Sequence, residues 1–283
     1  MNNFNFNDLN NKVAVVTGGS GVIGIAIVEA LTQVGVNVAI LNRNKESGDK
    51  ALAGLSKSKQ GKAIAVSADV LDDASLDKAK EQVIKELGEI DFLINCAGGN
   101  NPKATTPAEY ITEKNLANTQ ENFFGLDIEA LKDVFELNLI GSLLPTMKFS
   151  EGMVNRKNGS IINISSASSF SPLTKVPAYS ASKASINNFT QWLAVHFAKV
   201  NVRVNAIAPG FFITTQNRFL LIDEKTGKFS NRAEKIIAAT PMGRFGETNE
   251  LQGAALFLLS DLSKFVTGIV LPVDGGFTAY SGV

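Results

Sequence analysis

The segment Tyr179-Ser-Ala-Ser-Lys183 places a phenol and an ammonium four residues apart. On a helix that spacing puts both on one face. A free phenol ionises near pH ~10, too high for a base near neutrality. A lysine ammonium one turn away favours the phenolate and lowers that value. Such a pair is suited to give a proton to, or take one from, an alcohol or ketone oxygen. Ser166 lies thirteen residues ahead of Tyr179, at the end of a β-branched run, where its hydroxyl can bond the same oxygen. Asn138, in Phe135-Glu-Leu-Asn-Leu-Ile-Gly141, falls on a helical stretch. There it either holds a water linking Lys183 to solvent or bonds a neighbouring backbone carbonyl.

A second cluster could hold a partner for that proton transfer. Residues 17–24, T-G-G-S-G-V-I-G, contain four glycines in eight positions, and Gly19, Gly21 and Gly24 spell G-x-G-x-x-G. The stretch follows a strand-like run and opens an amphipathic helix through Ile23, Ile27, Leu31 and Val34, the context that a dinucleotide fingerprint requires. Glycines let the backbone approach a pyrophosphate, while the helix N-terminus supplies amide donors and a favourable dipole. Thr17, Gly18, Gly19, Gly21, Val22, Ile23 and Gly24 form the candidate cradle. The second strand ends Leu41-Asn-Arg-Asn44. An acidic side chain there would hold the ribose 2′-OH of NAD. Asn42 stands in its place and can still bond a ribose hydroxyl. Arg43 either pairs with a 2′-phosphate, favouring NADP, or is an ordinary exposed arginine. Either NAD or NADP therefore fits.

Further along, Asp69-Val70 follow the third strand, where Asp69 either accepts from an adenine amino group or caps the next helix. Asn95, Ala97 and Gly98 follow the fourth strand. Pro209, Gly210, Phe212 and Thr214 follow the sixth, where a nicotinamide carboxamide would lie.

These residues must be positioned by a regular frame. Strand-like runs lie at 12–17, 36–41, 62–67, 90–94, 159–165, 202–208 and 268–273. Their nearly continuous apolar character suits strands buried on both faces of a parallel sheet. Helix-like stretches alternate with them near 22–34, 45–58, 72–87, 127–150, 178–200 and 247–260. The alternation predicts an α/β fold, a Rossmann-type doubly wound parallel sheet of about seven strands flanked by helices in a single domain, 1–283. Ligands then sit at the carboxyl edge of the strands. Two long connections, 98–126 and 210–245, would leave that same edge and are the expected substrate loops.

The bulk composition narrows the partners. The chain has 283 residues, 27 basic and 27 acidic, with one His and one Cys. A balanced charge gives no electrostatic footprint for nucleic acid or an anionic membrane. No apolar run reaches the ~18 residues of a membrane span. The start, M-N-N-F-N-F-N-D, lacks a signal-peptide pattern. A lone Cys96 fits a reducing compartment, and the expected location is the cytoplasm. One His and one Cys argue against a structural zinc site, so no metal is expected. His196 has no partner cluster and suits a helix surface. Cys96 reads as a buried small side chain.

Taken in order, Thr17-Gly18…Gly24, Asn95-Cys-Ala-Gly98, Asn138, Ser166, Tyr179, Lys183, Pro209-Gly210 and Val273-Asp-Gly-Gly276 resemble the motifs of the short-chain dehydrogenase/reductase family over nearly the full chain. Val22 departs from the family's loop pattern, with Gly21 one position early. The resemblance implies an NAD(P)-dependent oxidoreductase. Tyr179 would be its general acid/base, Ser166 would orient the carbonyl, and Lys183 would tune the phenol and bind ribose. Asn138 would hold a relay water. The segments at 98–126, 169–183 and 208–221, and the ending D-G-G-F-T-A-Y-S-G-V, resemble the D-mannonate oxidoreductase (fructuronate reductase) subgroup. That implies interconversion of D-fructuronate and D-mannonate in hexuronate catabolism; the alternatives are a reductase of another sugar acid or polyol, such as a keto-gluconate, and a dinucleotide-binding sensor without turnover on the same fold. A sugar acid calls for a polar pocket with one or two cations, and Asn100, Lys175, Asn217 and Arg218 are candidates, with Lys175 or Arg218 clamping the carboxylate. The family resemblance and the apolar residues Trp192 and Phe197 on a long helix imply a homo-oligomer, a tetramer.

Overall fold

After a short 3-10 turn (Asn7–Leu9) comes β1 (Val13–Thr17), and every residue of this strand is buried. Such a run has no polar face to offer water, so it must lie between neighbours on both sides. β2 (Asn37–Asn42), β3 (Ala63–Ser67), β4 (Phe92–Asn95), β5 (Gly159–Ile164), β6 (Val202–Pro209) and β7 (Val270–Val273) join it. They form one seven-stranded sheet in the order β3-β2-β1-β4-β5-β6-β7. All six strand pairs are parallel. Thr17 stands level with Asn95, and Asn95 with Asn163, so the strands end together at one edge. The order reverses between β1 and β4, and such a reversal opens a crevice at the carboxyl edge. The computed structural model describes residues 5–56, 60–214, 218–223 and 226–282, with the backbone alone at 219 and 220.

Helices cover both faces. On one side α1 (Val22–Gln33) and α9 (Gln252–Leu259) pack Ile27, Leu31, Leu256, Leu258 and Leu259 against Val16, Ile40, Ile162 and Ile207. On the other lie α3 (Asp73–Leu87), α5 (Gly141–Arg156) and α6 (Pro177–Phe197). They bring Leu76, Val83, Phe149, Met153 and Leu193 onto Val15, Leu93, Ile161 and Val204. α2 (Lys45–Gly54) follows β2 and starts at Asn44, whose side chain accepts from the Ser47 amide. α3 is capped by Asp72, which accepts from the Ser75 amide. Asp69 is therefore not the cap: its carboxylate accepts from the Leu71 amide, two residues further on.

Two expectations about elements are corrected. The long helix expected at 127–150 is α4 (Ile128–Phe135), then one π-helical turn (Glu136–Ile140), then α5. A π turn inserts an extra residue into the helical ladder and changes which face the following side chains occupy. Segment 210–245 is not a plain loop, because it contains α7 (Arg218–Leu221) and α8 (Asn231–Ala238). α8 starts at Ser230, whose hydroxyl accepts from the Ala233 amide, and it buries Ala233 and Ile236 beside Leu221 and Phe211. Segment 98–126 is irregular with 3-10 turns, held by its own asparagines. Buried Asn122 donates to the carbonyls of Asn115 and Asn118 and accepts from the Phe124 amide. The two long segments meet through an ion pair, Lys235 Nζ to Glu109 Oε2 at 2.8 Å.

Candidate active site

Tyr179 and Lys183 stand on the first turns of α6, which begins at Pro177 with its φ already set for a helix. Lys175, two residues before that helix, has φ +74°, and its carbonyl accepts from the Thr106 amide at 2.9 Å. The start of α6 is thereby tied to segment 98–126. Ser166 lies just beyond β5, where its hydroxyl accepts from the Ser168 amide and hydroxyl. Lys183 is almost wholly buried, and its Nζ donates to the Ile164 carbonyl at 2.8 Å. That ammonium is 5.8 Å from the Tyr179 ring centroid.

Burial sets the titration of this group of residues. It pushes the Tyr179 phenol above its ordinary value, and the hydrogen bond with Ser166 works the other way. The lowering expected from Lys183 is not what dominates: desolvation penalises the phenolate more than nearby donors favour it. Lys183 itself is brought down to about 8 by burial. Cys96, next to it, is pushed up to about 11 by burial and is therefore a thiol near neutrality.

Asn138 occupies the π turn and is fully buried. Its side chain clasps one residue of the β4 exit loop from both sides, donating to the Gly99 carbonyl at 2.8 Å and accepting from the Gly99 amide at 3.1 Å. It also donates to the Val134 carbonyl. A Cβ on Gly98 would come within 2.6 Å of Asn138 Oδ1 and 3.3 Å of Lys183 Nζ. Only glycine lets that loop, the π turn and the lysine share this space.

The glycine-rich turn has the form of a phosphate cradle. Gly18 has φ +61°, and a Cβ there would stand 2.8 Å from Ala97 Cα. A Cβ on Gly24 would stand 2.4 Å from the Gly18 carbonyl oxygen, and one on Gly19 would stand 2.9 Å from that of Val16. The N-terminus of α1 has no side-chain cap and no acidic residue in its first turn. Its amides and positive dipole end thus remain available to an anion. These residues fit a dinucleotide pyrophosphate. Thr17 is buried and joins the cradle to the β4 exit, its hydroxyl accepting from the amides of Cys96 and Ala97 at 3.1 Å each. Asn42 supports the cradle from β2: its Oδ1 accepts from the Ser20 amide at 3.1 Å, and its Nδ2 donates to the Ser20 hydroxyl.

One cleft of about 430 Å³ unites most of these groups at the carboxyl edge. Its walls include Gly18, Gly21, Val22, Ile23 and Gly24 from the cradle, Ala97, Gly98 and Asn100 beyond β4, and Ser166, Tyr179 and Lys183. Pro209, Gly210, Phe212 and Thr214 close it beyond β6. Gly210 is needed there, because a Cβ would stand 2.6 Å from Asp274 Cα.

Other candidates lie outside the walls. Thr17, Gly19 and Asn42 lie behind the cradle. Val70 is buried, and its side chain would meet a Cβ on Gly141 at 3.0 Å. Asn95 is buried as a strut, its Nδ2 donating to Thr146 and Asn163 at 2.8 Å each. Arg43 is exposed, as is Arg218 on α7. Lys175 is half-buried and does not line the cleft, while Asn217 lies outside the described residues. The sequence reading missed Arg232, which lines the cleft from α8. The signal for its helix was a short one: Ser230 followed by apolar residues at 233, 236 and 237.

Comparison with known proteins agrees with this geometry. Residues 19–278 match the family model described as enoyl-(acyl carrier protein) reductase. The chain is 50% identical over 277 residues to an uncharacterized oxidoreductase of Haemophilus influenzae, covering 98% of this chain and 96% of that one. It is equally identical to the uncharacterized oxidoreductase UxuB of Bacillus subtilis, covering 98% of each. A crystal structure from Haemophilus, of a protein provisionally named D-mannonate oxidoreductase with bound NAD, superposes with a TM-score of 0.91. It shares 48% identity over 98% of this chain and 99% of that one. The glycine cradle, the parallel sheet and these full-length likenesses together place the chain in the short-chain dehydrogenase/reductase family, oxidoreductases that act on CH–OH groups with a nicotinamide cofactor.

Proposed function

We propose that the protein interconverts D-fructuronate and D-mannonate, with Tyr179 as general acid/base. The observation that carries the chemistry is the meeting of Tyr179, Ser166 and Lys183 with the glycine cradle in one cleft. The substrate rests on near-full-length similarity to the Haemophilus protein provisionally named for that reaction. When bound, the nicotinamide supplies or accepts the hydride.

The chain's residues handle the proton and the substrate oxygen. In reduction, Tyr179 gives its phenolic proton to the oxygen that was the keto oxygen. In oxidation it takes that proton back. Ser166 donates to the same oxygen and fixes its direction. Lys183, anchored on the Ile164 carbonyl, presents positive charge beneath the phenol, and Asn138 holds the Gly98–Gly99 loop that forms the wall beside it. Gly18, Gly21, Val22, Ile23 and Gly24 would receive the pyrophosphate. Asn42 and Thr17 brace that cradle, and Arg43 would be the contact to a 2′-phosphate. We also infer a homo-oligomer: Trp192 and Val195 on α6 and Met147 on α5 are more than half exposed, large apolar side chains that a second copy would cover.

The test is absorbance of the reduced nicotinamide with D-fructuronate, run in parallel with NADH and NADPH. Oxidation of either supports the assignment, and the ratio tells whether Arg43 reads a phosphate. No oxidation of either, with dinucleotide binding intact, sends the assignment to other keto acids or polyols. Tyr179→Phe is expected to lose at least roughly 100-fold in kcat and to keep dinucleotide affinity. A variant with unchanged kcat removes Tyr179 from the proton transfer.

A further inference from the structure

We propose that Arg232 binds the substrate's carboxylate and so selects sugar acids over neutral sugars, an inference that rests on the sugar-acid reading above. Arg232 and Lys183 are the only charged side chains in the cleft walls among the described residues, and no carboxylate lines them. Lys183 donates to the Ile164 carbonyl, so its ammonium is held at the bottom of the site. Three guanidiniums away from the cleft find protein partners: Arg156 bonds Glu89, Arg203 bonds the carbonyls of Leu258, Leu259 and Ser260, and Arg244 pairs with both oxygens of Glu250. For Arg232, by contrast, the hydrogen bonds and ion pairs among the described residues include none. A half-buried guanidinium facing a reactive cleft without a partner is poised for an anion, and its planar fork matches a carboxylate.

The surroundings strengthen its charge. Glu109 holds Lys235 at 2.8 Å, and its carboxyl is kept below the usual range first by that bond and also by the nearby charges of Lys175 and Arg232. Three cations, two from α8 and one from the segment ahead of α6, thus converge on one carboxylate. Within this cluster Lys175, Arg232 and Lys235 outnumber Glu109, so it keeps a positive excess. Arg232 is also firmly based: it sits in the first turn of α8, between the Ser230 cap and buried Ala233. Neither Lys175 nor Arg218 has this combination of a cleft-lining position and an unpaired head group.

The experiment compares D-mannonate with neutral D-mannonamide in the oxidative direction, for the wild-type protein, Arg232→Gln and Arg232→Lys. Dinucleotide affinity is measured alongside by calorimetry. Arg232→Gln is expected to lose roughly 30- to 150-fold in kcat/KM on D-mannonate, mainly through KM. Its activity on the amide should change less than threefold, and its dinucleotide affinity should not change. Arg232→Lys should recover part of the loss, because the charge remains and the fork is gone. Glu109→Gln should lower KM for D-mannonate, since it removes a negative charge that interacts with Arg232.

A wild-type preference for D-mannonate that survives in Arg232→Gln overturns the assignment of Arg232 alone. Equal losses on acid and amide, weakened dinucleotide binding, or a Glu109→Gln variant that loses as Arg232→Gln does would also overturn it, since they mark a purely structural ion pair or a cofactor contact. A wild-type protein that does not distinguish D-mannonate from its amide, in turnover or in binding, overturns the sugar-acid reading and this inference with it.

Discussion

Lys183 shows most clearly what single residues give up for the site. Its folded value of about 8 lies below the ordinary 10.5. The sign follows directly: below pH 8 the folded protein pays to keep a buried ammonium that the unfolded chain keeps in water. Between about 8 and 10.5 the folded form releases its proton first, so stability rises with pH in that window. The swing is on the order of 3 kcal/mol at 1.36 kcal/mol per unit. Lys183→Met should therefore melt several degrees higher at pH 7, lack the rise toward pH 10, and lose activity. An unchanged melting temperature at pH 7 would show that the Ile164 hydrogen bond fully offsets the burial. Tyr179 gives the complementary prediction. Its phenol is held above the ordinary range, so near neutrality it carries its proton, as reduction requires. Oxidation requires the phenolate, and its kcat should climb steadily from pH 7 to 10. A flat oxidative profile over that window would exclude Tyr179 as the base.

Among elements, the β4 exit is where separate parts of the site are held in register. Thr17 on β1 accepts from two of its amides, and Asn138 on the π turn clasps a third residue. Thr17→Val keeps the shape and removes the acceptor, leaving two inward amides unpaired at about 1–3 kcal/mol each. A drop of several degrees in melting temperature and a weaker dinucleotide affinity should follow, and calorimetry checks both. The strands were legible in the sequence because burial on both faces leaves unbroken apolar runs, as in Val13-Ala-Val-Val16. The dinucleotide turn was legible because its glycines answer to local geometry. The π turn was not, since an extra residue in a helix leaves the apolar pattern nearly intact. α8 was missed because two helical turns give too little periodicity to stand out from a polar segment. Arg232, which lines the cleft from α8, therefore escaped notice, and Lys175 and Arg218 were candidates on residue type alone. Asn42 was visible as a departure from an acidic residue, but its bond to Ser20 depends on a fold that brings residues 22 apart together.

The whole molecule leaves large apolar side chains of α5 and α6 on its surface. Val195 is 80% and Met147 70% exposed, and Trp192, itself exposed, stacks on His196 with ring centroids 4.8 Å apart. If a second copy covers the exposed side of α6, Val195→Glu should place a charge there and split the assembly, with the single-copy mass seen by light scattering. A wild-type protein that is already a single copy at micromolar concentration would refute the homo-oligomer.

The sheet order also has a history in time. β7 lies within the last fourteen residues of the chain, yet it is the strand that covers β6. During synthesis the eight residues of β6 therefore wait with one edge open, a template for stray pairing with any other extended chain. The same late strand supplies the Val273 carbonyl that accepts from the Gly210 amide and so fixes one wall of the cleft. A nascent chain halted near residue 260 would carry Tyr179, Ser166 and Lys183 and still be both sticky and inert, because the final strand seals the edge and finishes the cleft in one event.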